Sequence, residues 1–386
     1  MSLLGTLARR TEPSRVWFRW PFTVAIAIIL GHRDNLREKN LTDTETAPPD
    51  APEPQGDFVG ARTVTGSHTD LGQPWMGMAG TRFGRNVALK ASFGETGARL
   101  MDPSPRLVSN RLLARKEFVP VPHLNVLAAA WIQFMVHDWL SHGKNDSSLI
   151  HEIPLPEGDD WAHGRLTVPR TTPSPETEAD AGRPGAFTNV ETHWWDASQT
   201  YGSTAERLAA VRTGSGTTVC ADGTLALDER GLLPVDGAAK TENLELAGVN
   251  GNWWIGLSLL HTLFLREHNA VVARLRIDHP DRDGAWLFDK ARLVVSALLA
   301  KIHTVEWTPA LMDSPAGRMA MRGNYWGLMG ERSYNAFGRI SDSEVINGIP
   351  GSPVDHHGAP FAMTEEFTAV YRLHSLMPDA YLFHPG

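Results

Sequence analysis

Cysteine is almost absent from this sequence. The 386 residues contain one cysteine, Cys220, beside sixteen histidines. One cysteine excludes an intrachain disulfide, and it also excludes zinc sites and iron–sulfur clusters that need several thiolates. A metal bound by this chain must therefore have imidazole or oxygen ligands.

Basic charge is also in short supply. Lys and Arg number 36 against 44 Asp and Glu, so the formal net charge is -8. Phosphate binding usually needs a concentrated basic face. We therefore expect no nucleic-acid partner.

Long hydrophobic runs are missing. The most apolar early stretch, Phe22–Leu30, has nine residues, whereas a membrane-spanning helix needs about 20. No small-residue cleavage site follows it, so we expect no signal peptide. The sequence predicts a buried N-terminal helix or a helix at a membrane surface, in a protein that is cytoplasmic or peripheral to a membrane.

Helical periodicity dominates what is present. Apolar residues recur at three- and four-residue spacing, which is typical of helices. The helices predicted in this way are Asn125–His142, ending at a capping Gly143, and Trp253–Ile277, Trp286–Trp307 and Thr364–Leu376. Thr42–Asp57 and Pro154–Gly185 are rich in proline and predict loops. Strand signals are sparse, so the predicted fold class is mainly α.

A polar pair lies on an apolar helix face. Gln133 and His137 are four residues apart and share a face with Ala, Ile, Phe and Val. Such a pair needs protein partners or a cofactor, because burying it unpaired costs about 1–3 kcal/mol per group. The alternative is a core histidine with satisfied hydrogen bonds. Zinc bound by His137 and His142 is disfavoured, since five helical residues turn the second imidazole about 140° away.

Oxygen donors alternate along a second segment. Thr192, Trp194, Asp196 and Ser198 occupy every other position, and such donors can surround calcium together with backbone carbonyls. Asp138 could add a second carboxylate if the two segments meet. The alternative is ordinary turn chemistry, because Asp and Ser favour turns in any protein.

Two smaller patterns lie nearer the C-terminus. Tyr371 and His374 are three residues apart on the predicted last helix, where an imidazole could bind haem iron beside a redox-active tyrosine. His303 and Thr308 lie at a helix end before Pro309 and could donate hydrogen bonds to an anionic head group. A half-buried tyrosine and helix-end capping are the alternatives.

Taken in order, these motifs resemble the haem peroxidase–cyclooxygenase superfamily, and most closely its fatty acid α-dioxygenases. The resemblance covers most of the chain after the N-terminal segment. The matching segments are Ala79–Arg85, Leu113–Phe118, Trp131–Trp139, Thr192–Ser203, Leu263–Asn269, Lys301–Thr308 and Tyr371–Asp379.

The resemblance implies a role for each candidate residue. His137 would be the distal histidine and Gln133 the distal glutamine, while His374 would be the proximal iron ligand. Tyr371 would be the tyrosine that is oxidised to a radical. The carboxylate of the fatty acid would be held by His303 and Thr308. The implied calcium ligands are Asp138, Thr192, Trp194 through its carbonyl, Asp196 and Ser198.

The implied reaction is addition of O2 at the α-carbon of a long-chain fatty acid, through a tyrosyl radical, to give a 2-hydroperoxy fatty acid. Val136 and Trp253 stand where ester-forming acidic residues attach haem in mammalian-type peroxidases, so we expect non-covalent haem b. Asn250 stands in place of a cationic residue that helps to cleave peroxide, which favours an oxygenase. A haem peroxidase acting on H2O2 and small reductants, or an inactive haem-binding fragment, remains an alternative.

The resemblance also sets the expected domains. Residues 1–60 would form a leader helix and a Pro-rich acidic loop, and residues 61–386 a haem peroxidase-like domain with long loops and little β. Members of the family continue for a long helical portion, whereas this sequence stops twelve residues after His374. We therefore expect a domain shortened at its C-terminal end.

Overall fold

The computed structural model describes residues 3–11, 17–39, 58–94, 97–174, 184–214, 219–235, 244–354, 361–372 and 374–381. Helices dominate this part of the chain, which confirms the mainly α prediction. The loop predicted at Thr42–Asp57 lies outside the described residues.

The α-helices and strands follow one another with short connections and a few long irregular segments. The α-helices are α1 (Leu3–Thr11), α2 (Phe22–Lys39), α3 (Pro105–Val108), α4 (Val126–Trp139), α5 (Ser198–Tyr201), α6 (Ala205–Thr213), α7 (Ile255–Asp278), α8 (Gly284–Lys301), α9 (Thr308–Leu311), α10 (Pro315–Trp326), α11 (Glu331–Phe337), α12 (Glu344–Asn347) and α13 (Glu365–Val370). Short 3-10 turns lie at Trp17–Arg19, Leu89–Ala91, Gly97–Met101 and His374–Leu376, and π-helical turns at Ser109–Leu113 and Ile302–Trp307. Strands β1 (Asn145–Ile153) and β2 (Leu166–Thr171) pair antiparallel, with Ile153 opposite Leu166.

Helix α4 ends earlier than the sequence predicts. It stops at Trp139 rather than at His142, and Leu140 is already extended. The cause is a buried asparagine from elsewhere in the chain: Asn189 accepts from the Ser141 amide at 2.8 Å and donates to the Trp139 carbonyl at 2.7 Å. These bonds satisfy backbone groups that a further helical turn would use. The predicted Gly143 cap is therefore wrong.

The helix predicted over Thr364–Leu376 is confirmed over its first half only. Helix α13 ends at Val370, and Tyr371 follows with a non-helical ψ of 62°. Short helices need an apolar face to pack against the rest of the protein, but Val370 is 77% exposed. His374 starts a separate 3-10 turn, so Tyr371 and His374 do not share a helix face.

A hairpin replaces part of the loop predicted at Pro154–Gly185. Strand β2 lies inside that stretch, and its partner β1 precedes it. The long helix predicted over Trp286–Trp307 continues to its expected end, but its last turn, Ile302–Trp307, is π-helical.

The chain divides into two compact units. The larger unit comprises Glu45–Gly84, Ala88–Ala300 and Ala362–Gly386, and the smaller comprises Met1–Thr44, Arg85–Val87 and Lys301–Phe361. The domain boundary expected after residue 60 follows the family resemblance and stays a prediction.

The core of the larger unit forms where α4 packs on α7. Phe134 of α4 stacks on Phe264 of α7 with ring centroids 5.3 Å apart, and Trp131 lies 5.7 Å from the same ring. Helix α5 is locked to α7 because the Tyr201 hydroxyl hydrogen-bonds His268 Nδ1 at 2.8 Å. The other ring nitrogen of His268 lies 3.0 Å from the Gly223 carbonyl, so both nitrogens of His268 are used in packing. This core holds α4, and the side chains on its outer face, in a fixed position.

The smaller unit is organised by α2. This helix buries Ala25, Ile26, Ile28 and Leu30, which confirms the prediction of a buried N-terminal helix. Helix α1 crosses α2 closely at Gly31, where a Cβ atom would collide with the Leu4 carbonyl. Among the described residues, no helix is long and apolar enough to cross a membrane.

Candidate active site and cation site

One cleft of the larger unit brings together the residues assigned to haem chemistry. Gln133 and His137 reach it from α4, and Tyr371 and His374 reach it from the segment after α13. The cleft has a volume of about 380 Å³. The other side chains that line it are mostly apolar: Ala129, Ile132, Val136, Asn252, Trp254, Arg372 and Met377.

His137 is neutral in this setting. Removal from solvent lowers its pKa to about 4, and the nearby Val249 carbonyl offsets only part of that effect. At neutral pH the imidazole therefore has a lone pair and can accept a proton.

Gln133 has protein partners for both ends of its amide. Its oxygen accepts from the indole N–H of Trp254 at 2.6 Å, and its nitrogen donates to the Asn252 carbonyl at 2.9 Å. The Trp254 ring in turn stacks on Tyr381, with centroids 5.2 Å apart. Gln133 therefore fastens α4 to the segment that leads into α7, and this segment forms one side of the cleft.

Tyr371 is half-buried among aromatic rings. It stacks on Phe367 at 4.5 Å and lies 6.3 Å from the Trp139 ring. Burial raises the pKa of its phenol to about 12. Tyr371 is therefore protonated at neutral pH, which is the form that can give up a hydrogen atom.

His374 is exposed at the rim of the cleft, at the start of its 3-10 turn. Arg115 anchors the chain just beyond it, donating to the Met377 carbonyl at 2.7 Å and to Asp379 Oδ1 at 2.8 Å. This places the Leu113–Phe118 segment beside the segment that carries the proposed iron ligand.

The sequence analysis missed a second buried histidine near the cleft. His261 of α7 is 1% exposed, and neither ring nitrogen makes a hydrogen bond of normal geometry to the described residues, although the Val249 carbonyl lies close enough to favour the charged ring slightly. Burial, reinforced by the nearby His137, lowers its pKa to about 3. Its only signal in the sequence is its place on α7, seven residues before His268.

Asp138 and Ser198 meet at the candidate calcium loop. The Ser198 amide donates to Asp138 Oδ1 at 2.6 Å. The other carboxylate oxygen, Oδ2, is buried and has no hydrogen-bond donor among the described residues. Burial raises the pKa of Asp138 well above its ordinary value, and the neighbouring carboxylates of Asp196 and Glu191 add to the effect. A cation would relieve this cost.

The remaining donors lie on the same loop. The Thr192 hydroxyl donates to Asp196 Oδ2 at 2.8 Å and lies 3.4 Å from the Trp194 carbonyl oxygen. The loop also packs tightly on Gly66, whose φ of +76° and contacts with Thr192 and Asp196 leave no room for a side chain. Arg62 balances part of the negative charge, with Nη2 2.7 Å from Asp196 Oδ1.

His303 and Thr308 are neighbours in the smaller unit. The Thr308 hydroxyl donates to the His303 carbonyl at 2.7 Å, across the π-helical turn. The His303 ring stacks on Trp307 at 4.9 Å, and burial lowers its pKa to about 4. Thr308 also lines a cavity of about 460 Å³, together with apolar side chains and the charged residues Arg318, Arg322 and Glu331.

Both implied cofactors are chemically compatible with these residues. An apolar cleft with an imidazole from each of two segments suits haem. Carboxylate, hydroxyl and carbonyl oxygens, with one buried carboxylate oxygen lacking a donor, suit calcium. The described residues contain no cluster of three or more His, Cys, Asp or Glu side chains arranged to hold a metal, so the calcium assignment depends on the hydroxyl and carbonyl donors.

Comparison with known proteins supports the resemblance. The chain is 34% identical over 370 residues to alpha-dioxygenase PIOX of Oryza sativa subsp. japonica, covering 95% of this chain and 57% of that protein. It is 36% identical over 327 residues to alpha-dioxygenase 1 of Arabidopsis thaliana, covering 82% of this chain and 48% of that protein. The chain thus spans about half the length of these relatives.

Solved structures of fatty acid alpha-dioxygenases are also similar to this chain. The crystal structure of Arabidopsis thaliana fatty acid alpha-dioxygenase matches with a TM-score of 0.81 and 32% identity, over 98% of this chain and 57% of that one. A variant of the Oryza sativa enzyme with palmitic acid matches with a TM-score of 0.82 and 32% identity, over 98% of this chain and 60% of that one. The family model described as animal haem peroxidase matches residues 61–384. The chain therefore belongs to the animal haem peroxidase family.

Proposed function

We propose that this chain carries the haem-binding part of a fatty acid α-dioxygenase, which adds O2 at the α-carbon to give a 2-hydroperoxy fatty acid. One observation carries the proposal: Gln133, His137, Tyr371 and His374 line a single cleft. The similarity to fatty acid alpha-dioxygenases, including one structure with palmitic acid, supports this chemistry.

Haem b would lie in the cleft, held without covalent bonds, with His374 as its proximal ligand and His137 on the distal side. When bound, it supplies one-electron oxidising chemistry, and the protein supplies binding and orientation. His137, being neutral, accepts and returns a proton as a general base and acid. Gln133 holds the distal side rigid through Trp254 and Asn252.

Tyr371 is the proposed hydrogen-atom acceptor. Loss of one electron and the phenolic proton would leave a neutral tyrosyl radical, which takes a hydrogen atom from the α-carbon of the fatty acid. O2 then adds to the carbon radical, and return of a hydrogen atom to the peroxyl oxygen gives the hydroperoxide and balances the reaction. The stacked Phe367 ring keeps the tyrosine in an apolar setting.

His303 and Thr308 are the proposed partners of the fatty acid carboxylate. The cavity that Thr308 lines combines apolar side chains with two arginines, Arg318 and Arg322, against one carboxylate, Glu331, and this balance supports binding of an amphiphile with an acidic head group.

Calcium is the proposed ligand of Asp138, Thr192, the Trp194 carbonyl, Asp196 and Ser198. Since Asp138 directly follows His137 and bonds to Ser198, a cation there would fix the end of α4 that carries the distal histidine.

Peripheral membrane contact is a further proposal for the smaller unit. Leu3 is 90% exposed, and Leu7, Trp20 and Phe22 are also exposed near the basic Arg9 and Arg10. Apolar side chains flanked by basic ones suit the surface of an anionic bilayer.

The Tyr371→Phe variant tests the proposed chemistry. Removing the phenolic hydroxyl should abolish oxygen uptake by the haem-reconstituted chain with palmitic acid, while the Soret band remains. Tyr334→Phe, which changes a tyrosine of the smaller unit in the same way, should keep the uptake. Oxygen uptake retained in Tyr371→Phe would contradict the radical assignment.

Two other outcomes separate the alternatives. Peroxidase turnover with H2O2 and a small reductant, without oxygen uptake from palmitic acid, would indicate a peroxidase. A haem-loaded wild-type chain with neither activity would indicate a non-catalytic haem-binding protein. His374→Ala should shift or abolish the Soret band, and an unchanged band would refute the proximal assignment.

A further inference from the structure

A buried glutamate stands directly beside the proposed calcium ligands. Glu191 precedes Thr192, and its Oε2 atom accepts from the Ser203 hydroxyl at 2.5 Å. Burial raises the pKa of Glu191 to about 7, while the Ser203 hydrogen bond and the charge of Arg207 favour its ionised form. Neither Glu191 nor Ser203 belongs to the ligand set that the resemblance implies.

Ser203 is the centre of a three-way hydrogen-bond junction. Besides its bond to Glu191, its Oγ atom accepts from the Thr192 amide at 3.2 Å and lies 3.1 Å from Ser198 Oγ. Ser203 is 4% exposed and Ser198 is fully buried, so these contacts form away from solvent.

The numbers of protons and lone pairs on a hydroxyl group decide the direction of these hydrogen bonds. A serine hydroxyl has one proton to donate and two lone pairs that can accept. When Glu191 is ionised, the shortest of these bonds, to its carboxylate, takes the Ser203 proton. The lone pairs of Ser203 then accept from the Thr192 amide and from the Ser198 hydroxyl. The Ser198 proton thereby points at Ser203.

The direction of the Ser198 hydroxyl proton decides whether its oxygen can bind a cation. A hydroxyl ligand must offer a lone pair to calcium and place its proton elsewhere. The cation would be held by the buried Oδ2 atom of Asp138, which has no hydrogen-bond donor among the described residues, and by Asp196, whose charge acts on Asp138.

We propose that Glu191, acting through Ser203, directs the Ser198 hydroxyl proton away from the metal and so prepares Ser198 Oγ to bind calcium. Glu191 and Ser203 are positioning residues, because neither needs to touch the cation. The inference rests on the proposed calcium site.

Calcium titration calorimetry on the chelator-treated, full 386-residue chain tests the inference. Ser203→Ala and Glu191→Ala should each weaken calcium binding by roughly 10- to 100-fold, the usual effect of removing a partner that orients a metal ligand. The Ser203→Ala/Glu191→Ala double variant should bind about as weakly as Ser203→Ala alone, because both changes break one relay.

Glu191→Gln separates orientation from charge. Its amide oxygen can still accept from Ser203, so it should lose less affinity than Glu191→Ala. Glu206→Ala is the matched control, since it removes an exposed carboxylate from the same stretch and should bind like the wild type. Circular dichroism in chelator establishes that each variant is folded.

The outcomes are distinguishable. Additive losses in the double variant, or equal losses in Glu191→Gln and Glu191→Ala, would overturn the relay while leaving the calcium site intact. Unchanged affinity in Ser203→Ala would do the same. No calcium binding by the wild type would overturn the calcium site and this inference together.

Discussion

At the residue scale, the cleft is notable for histidines that are buried and neutral. Burial lowers the pKa of His137 to about 4 and that of His261 to about 3, and the nearby His137 adds to the shift of His261. Helical spacing could predict that Gln133 and His137 share a face, because both lie on one regular helix. Helical spacing could not predict that His261 is buried near His137, because this depends on how α7 packs against α4.

The His261→Leu variant should be more stable than the wild type when no haem is added. A buried polar group without partners costs about 1–3 kcal/mol, and leucine removes this cost at nearly the same volume. The free energy of unfolding, measured with urea at pH 7, should rise by that amount. A less stable variant would show that His261 has a partner in solution.

The stability gain of His261→Leu should depend on pH. The folded-state pKa of His261, about 3, is below the unfolded value of about 6.5. The wild type therefore loses stability as the pH falls below 6.5, because the unfolded chain binds a proton that the native state excludes. Between pH 7 and pH 5 the difference between variant and wild type should widen by about 2 kcal/mol. A difference independent of pH would contradict the burial of a neutral His261.

At the scale of elements, long-range bonds decide where helices stop. The residues of α4 would permit another turn, but the side chain of Asn189 hydrogen-bonds the Trp139 carbonyl and the Ser141 amide, and the helix ends there. Helix α13 stops at Val370, whose side chain is 77% exposed and so gains little from packing on the described residues. The spacing of apolar residues along the sequence predicts neither a distant hydrogen-bond partner nor the exposure of a residue at a helix end.

Asn189→Ala should destabilise the junction between α4 and the calcium loop. The asparagine side chain also accepts from the Glu191 amide at 3.1 Å, so its loss removes three hydrogen bonds to the backbone. The free energy of unfolding should fall by about 3 kcal/mol, because each buried polar group that loses its hydrogen bond costs about 1–3 kcal/mol. Asn145→Ala, at an exposed position of β1, should change it by no more than about 0.5 kcal/mol. Equal changes in the free energy of unfolding for the two variants would show that the Asn189 hydrogen bonds add nothing to stability.

At the scale of the whole molecule, the proposed activities divide between the two units. The haem and calcium residues belong to the larger unit, and His303, Thr308 and the exposed apolar residues of α1 belong to the smaller one. Composition predicted the kinds of ligand available, because one cysteine leaves only imidazole and oxygen. The grouping of residues into units depends on chain-distant contacts and is not visible in composition.

The proposed membrane contact predicts binding to anionic vesicles. Co-sedimentation with phosphatidylglycerol vesicles should exceed that with neutral phosphatidylcholine vesicles and should fall as salt rises, because added ions screen the basic residues. Leu3→Glu should weaken binding. Leu112→Glu, at an exposed position of the larger unit, is the matched control. Equal binding by both variants would remove α1 from the contact.

The sequence by itself determined the mainly α class, the shared face of Gln133 and His137, and the restriction of any metal ligands to imidazole and oxygen. These follow from local spacing and residue chemistry, which do not depend on distant parts of the chain. Tertiary structure alone decided that Asp138 meets Ser198, that Gln133 is held by Trp254, and that Glu191 reaches Ser203. Each of these joins residues through packing and hydrogen bonds that form only when the chain has folded, so no local pattern could encode their geometry.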